Sequence, residues 1–133
     1  MIQRFTYLGW QDTIVSGWGS GSYDYDYDLS NILPTLNWVQ VTPVSDETCG
    51  DALTVVPLPE DLICAGARSA EGSVCRYDDG GPLVTRASGD SGYSLIGVVA
   101  FWDCIEVLAV PGLYNEVSHF LSWIAEEYGL SFP

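Results

Sequence analysis

The stretch from Cys75 to Pro82, Cys75-Arg76-Tyr77-Asp78-Asp79-Gly80-Gly81-Pro82, constrains this chain more than any other. A cysteine, two adjacent acids and a Gly-Gly-Pro turn run into the apolar Pro82-Leu83-Val84. Consecutive glycines permit backbone angles that a side chain forbids. Proline is tolerated at the first residue of a strand, where its missing N–H breaks no ladder. The stretch therefore predicts a tight, disulfide-anchored loop entering a strand.

The 133 residues amount to one domain. A chain of this length buries about two thirds of its unfolded surface. Hydrophobic residues make up 47%, so the chain is globular rather than disordered. No apolar run approaches the roughly 20 residues of a membrane span. The longest, Leu95 to Trp102, has the length of a buried strand. The 18 acids face four arginines and no lysine, for a net charge of -14. That balance argues against nucleic acid, which needs a basic footprint, and against docking on an anionic membrane. It fits an acidic solvated surface, or an acidic face for cations or a basic partner.

Four cysteines in one domain point to two disulfides and an oxidising compartment, hence an extracellular protein. Three pairings are open on spacing alone. A zinc site is discounted, because no Cys-x-x-Cys occurs and the single His119 lies far along the chain. No metal and no cofactor is expected. Met1-Ile2-Gln3-Arg4 is not followed by the apolar segment of a signal peptide. Disulfides without such a segment suggest a fragment, a processed piece or a truncated gene model.

Residues 1–12 read as an entry segment ahead of a domain over 13–133. Thr13 to Gly19 is β-branched, then glycine-rich, as in a strand ending in a bend. The repeat Tyr23 to Asp28 alternates tyrosine and aspartate between Gly/Ser-rich flanks. It reads as a surface loop, with a weak calcium site or an acidic-aromatic docking tag as the functional alternatives. Leu36 to Val41 alternates like a strand, and Ser45 can cap a short helical turn ending near Cys49. Leu62 to Gly66 is another strand; Pro82 to Arg86 and Tyr93 to Trp102 form a hairpin. Pro111 to Val117 is a further strand. Ser118 can cap a helix over Ser118 to Tyr128, which Gly129 stops. Trp38 and Trp123 are expected in the core.

Several of these motifs resemble those of chymotrypsin/trypsin-like serine proteases. The Cys75–Pro82 loop is similar to that family's nucleophile loop, Cys-Gln-Gly-Asp-Ser-Gly-Gly-Pro. Ser16-Gly17-Trp18-Gly19, Cys64-Ala65-Gly66, Pro111-Gly112-Leu113-Tyr114 and Ser122-Trp123-Ile124 follow the family's order. The resemblance covers Thr13 to Tyr128 and only the C-terminal of the family's two barrels. It implies an all-β, six-stranded antiparallel Greek-key barrel with a C-terminal α-helix. It also implies the pairs Cys49–Cys64 and Cys75–Cys104. A third family bridge would join the places held here by Thr13 and Thr85.

The same resemblance implies lost chemistry. Asp79 stands where the family has its nucleophilic serine, and Tyr77 where it has the oxyanion-loop glycine. A carboxylate there opposes the negative charge that acyl transfer must develop. The triad histidine and its aspartate would come from the other barrel, and His119 reads as a surface residue. Asp78 matches the acid that in the family receives a freed N-terminal amine. Here it needs another partner, such as a loop N–H or Arg76. The pocket positions carry Ser73 at the floor, Ala100, Phe101 and Trp102 along the wall, and Gly112. Trp102 would fill the mouth. The expected function is that of a non-catalytic protease homologue, a binding or regulatory module whose protein partner meets the uncovered barrel–barrel face. The alternatives are a serine endopeptidase completed by a missing barrel, and a fragment without function. Trp10, Trp18, Trp38, Phe101 and Trp102 are candidates for an exposed aromatic patch there.

Overall fold

Period-two alternation builds the domain. The computed structural model describes residues 13–19, 30, 32–54, 57–67, 74–86, 92–101 and 111–132. Strand β1 (Thr13–Gly17) pairs antiparallel with β2 (Asn37–Val44), setting Val15 opposite Val39 and Thr13 opposite Val41. Strands β3 (Leu62–Ala67), β4 (Pro82–Arg86), β5 (Tyr93–Phe101) and β6 (Gly112–Glu116) follow. They close a six-stranded antiparallel barrel in the order β1-β2-β3-β6-β5-β4, the Greek-key arrangement expected. Closure removes free edges, which would otherwise invite pairing with other chains.

The barrel interior is filled by Val15, Val41, Ile63, Leu83, Val99 and Tyr114, each at most 3% exposed. Burying an aliphatic side chain of this kind stabilises by about 1.5–3 kcal/mol. The register skips Ile96 between the pairs Val84–Leu95 and Leu83–Gly97, and Ala100 between Val99–Tyr114 and Phe101–Leu113. Two bulges therefore bend β5. Bulges of this kind re-aim a strand at barrel rims and beside sites.

Helix α1 (Asp46–Leu53) starts at Ser45, whose Oγ accepts the Thr48 N–H at 3.2 Å. The sequence predicts only a short turn here. The helix is longer because Asp46 and Glu47 favour its positive end and the buried Cys49 is bonded to Cys64 on β3, Cα–Cα 6.2 Å. Cys75 is also disulfide-bonded; Cys104, its expected partner, lies outside the described residues.

Helix α2 (Val117–Tyr128) begins one residue earlier than expected, and Ser118 is not its cap. Glu116 holds that position, and the Ser118 hydroxyl donates to Glu116 Oε1 at 2.6 Å. Gly129 stops the helix in the left-handed region, φ 62°. The helix packs on β5.

Two tryptophans are not where core packing would put them: Trp38 is 68% exposed and Trp123 57%. On β2 the inward parity belongs to Val39 and Val41, so Trp38 shares the outer face with Gln40. On α2 Phe120, Leu121 and Ile124 are half-buried, while Trp123 lies at the exposed edge of that face. Trp18 is exposed, as expected of the patch. The side chains of Trp10, Phe101 and Trp102 lie outside the described residues, as does the repeat Tyr23 to Asp28. Among the described residues, no helix is long and apolar enough to cross a membrane.

Candidate functional site

Two successive tight turns present Asp78 and Asp79. In the first, the Asp78 N–H donates to the Cys75 carbonyl at 3.1 Å. Tyr77 is its third residue and has φ 69°. That is the type II geometry, which glycine normally fills. A β-carbon in the left-handed region costs about 1–2 kcal/mol, so the turn is held by its surroundings and not by Tyr77's own preference.

In the second turn, the Gly81 N–H donates to the Asp78 carbonyl at 2.8 Å, and Gly80 has φ 79°. Asp79 is at its exposed corner. The two glycines serve different needs. Gly80 supplies the backbone angle, and a β-carbon there would meet open space. Gly81 supplies room, since a β-carbon would stand 2.8 Å from both the Asp78 and Ser16 carbonyl oxygens. The Gly80 N–H donates to Val99 and the Val99 N–H donates to Gly81, at 3.0 and 2.9 Å, fastening the turn to β5.

The Asp78 carboxylate points back into the molecule. Oδ1 accepts the Gly19 N–H and Oδ2 the Cys75 N–H, both at 2.9 Å. Of the partners named for it from sequence, loop N–H groups are the ones it takes. Gly17 and Gly19 wall the carboxylate so closely that a β-carbon on either would overlap it. Their place in Gly17-Trp18-Gly19 is explained by this seat as well as by the bend at the strand end.

Beneath the turn lies Tyr114, fully buried, on the inward face of β6 with Gly112 and Glu116. Among the described residues its hydroxyl has no hydrogen-bond partner. A β-carbon on Gly112 would lie 2.6 Å from Val74 Cγ2 and 3.2 Å from that hydroxyl. Burial pushes the phenol well above its ordinary range, and the Asp78 charge pushes it the same way. Tyr114 is thus a neutral donor that finds no acceptor among the described residues at the base of the site. Nothing in the sequence marks it beyond the β6 alternation, which puts it on the inward face.

A family model described as Trypsin matches residues 8–124. The chain belongs to the trypsin family. Trypsin eta of Drosophila erecta is 35% identical over 118 residues, covering 89% of this chain and 41% of that protein. Trypsin-1 of Astacus astacus is 33% identical over 115 residues, 85% of this chain and 45% of the relative. The vitamin K-dependent protein C of Oryctolagus cuniculus is 30% identical over 124 residues, 93% of this chain and 26% of the relative. The chain spans less than half the length of each of these relatives.

The remaining positions named from the trypsin-family resemblance divide in two. Gly112 is buried beside Val74 and Tyr114, and Ala100 is exposed at the second β5 bulge, so both border one end of the barrel near Val99. Phe101 pairs through its backbone with Leu113. Ser73 and Trp102 lie outside the described residues. Thr13 and Thr85 face each other across β1 and β4, and the buried Thr13 hydroxyl donates to the Val41 carbonyl. His119 is exposed on α2 with its ring edge-on to Phe120, centroids 5.2 Å apart. Among the described residues, no three His, Cys, Asp or Glu side chains stand together as a metal site requires.

Proposed function

We propose that this chain is a non-catalytic member of the trypsin family, a binding or regulatory module of the extracellular space. The observation that carries the proposal is Asp79, exposed at the corner of the turn that in the family presents the nucleophilic serine. Acyl transfer places a developing oxyanion against backbone N–H groups in such a turn. A carboxylate at the corner sets negative charge beside that oxyanion, and in a site shielded from water the repulsion cancels the stabilisation those donors supply. Attack by the carboxylate itself would form an anhydride, which reverts to reactants. Tyr77 at the oxyanion-loop position supports the same reading, because its ring occupies space that glycine leaves open. The disulfides support an oxidising compartment.

The binding half of the proposal rests on uncovered apolar surface. Trp18 just past β1, Leu36 just before β2 and Trp38 on β2 are about half exposed or more. Exposed patches of this kind mark protein contacts.

The test is labelling with a fluorophosphonate probe beside an active trypsin, together with hydrolysis of a mixed peptide library. No labelling and no cleavage above background are expected. Cleavage by the purified chain, alone or with a separately supplied histidine-bearing barrel, that disappears in Asp79→Ala would overturn the proposal and establish an endopeptidase.

A further inference from the structure

We propose that the turn from Cys75 to Asp78 is a two-state element, in which rotation of the single peptide between Arg76 and Tyr77 reverses the direction of the Tyr77 N–H. The observed form is type II, with Tyr77 at φ 69° and the Asp78 N–H on the Cys75 carbonyl. The type I turn makes the same hydrogen bond over nearly the same chain path. The two types differ in ψ of the second residue and φ of the third, here Arg76 and Tyr77. Turning over the middle peptide therefore exchanges them.

The contacts already described grip the ends of this turn. Cys75 is disulfide-bonded, and its N–H donates to Asp78 Oδ2. Asp78 Oδ1 takes the Gly19 N–H. These groups keep their places when the middle peptide turns over, so they do not select between the two forms. Tyr77 itself does. Its β-carbon disfavours the left-handed region by a factor of about 5–30. Its ring is half-buried, and burying part of an aromatic side chain weighs about as much in the other direction. Two opposed preferences of similar size leave both forms populated, within a factor of about 30 of each other. Strained backbone of this kind is a common basis of bistability at functional turns. A partner whose carbonyl or carboxylate accepts the Tyr77 N–H recognises one form and shifts the balance toward it. This inference does not depend on whether Asp79 abolishes catalysis, because neither rotated bond belongs to Asp79.

The test is solution NMR of the whole chain, reading nuclear Overhauser contacts across the turn. A strong contact between the Arg76 α-hydrogen and the Tyr77 amide hydrogen marks the type II form. A strong contact between the Arg76 and Tyr77 amide hydrogens marks the type I form. Both are expected in the wild type. Tyr77→Gly removes the β-carbon cost and should leave the type II contact alone. Tyr77→Ala keeps that cost and removes the ring, so the type I form should gain at least about fivefold over the type II form. Tyr77 is outside the barrel core, so both variants keep the fold. An unchanged Gly19 amide resonance in each variant is expected, since the Asp78 seat is common to both forms. A single turn form in the wild type would overturn the proposal. So would the same form in Tyr77→Gly and Tyr77→Ala, or a Gly19 resonance that moves with the turn.

Discussion

Gly19 and Asp78, 59 residues apart in sequence, are joined by a 2.9 Å hydrogen bond from the glycine N–H to the carboxylate Oδ1. The second oxygen takes the Cys75 N–H. Through this one side chain the end of β1 is tied to the turn that carries Asp79. Each carboxylate oxygen takes a backbone donor, and the two donors come from separate segments.

Replacing Gly19 by alanine should therefore destabilise the fold, because the new methyl group overlaps the Asp78 carboxylate. The expected loss is about 1–3 kcal/mol, read as a lower urea midpoint with unchanged slope. Gly92→Ala is the control, since a β-carbon there meets nothing within 4 Å. It should be neutral or stabilise by up to about 1 kcal/mol. Equal effects at the two sites would remove the close approach as the reason for Gly19.

Asp78→Asn keeps the shape and removes the charge. An amide offers one acceptor oxygen where the carboxylate offers two, and its NH2 would face an N–H donor. One of the two donors, Gly19 or Cys75, must then lose its partner. The expected destabilisation is about 1.5–3 kcal/mol by urea denaturation. A faster exchange of the Gly19 or Cys75 amide hydrogen would locate the loss, and unchanged exchange at both would refute the two-donor seat.

Tyr114 predicts an alkaline effect with a definite sign. Its phenol titrates higher in the folded chain than in the unfolded one. The native state therefore holds its proton longer, so this contribution is complete below about pH 10 and fades as the pH rises further. Tyr114→Phe should flatten the fall of the urea midpoint above that pH. At neutral pH the same variant should be neutral or slightly stabilising, since it removes a buried hydroxyl that lacks a partner among the described residues. A loss of several kcal/mol at neutral pH would mean that the hydroxyl has a partner after all.

Thr13 and Thr85 are cross-strand partners and should accept an engineered bridge. Thr13→Cys with Thr85→Cys should oxidise to a variant without the two added thiols. Its urea midpoint should rise by the equivalent of about 2–4 kcal/mol and fall back on reduction of that bond, less the buried Thr13 hydrogen bond. Two titratable thiols persisting under oxidising conditions would count against the register.

The barrel was legible in the chain because each strand carries its own signal. Val15 and Val39, Val41 and Leu83 sit at alternating positions, and the turns between strands are written in glycine and proline. The Cys49–Cys64 pair and the position of Asp79 followed from motifs that keep their order. The tryptophans did not follow. An indole is large and apolar, so burial is its default expectation, yet Trp38 falls on the outward parity of β2 and Trp123 at the exposed edge of the half-buried face of α2. The cap read at Ser118 lies two residues earlier, at Glu116, whose N–H is taken by the Asp61 carbonyl.

Local chemistry along the chain determined roughly where strands, turns and helices lie, while the cysteine pairing and the place of Asp79 at a turn corner came from the family resemblance. The tertiary structure alone decided what Asp78 touches, why Gly17 and Gly19 must be glycines, and that Tyr114 is sealed beneath them. The reason is physical. Propensity and alternation act between neighbours in sequence. A carboxylate's partner and the room left for a β-carbon depend on segments that meet only when the barrel closes.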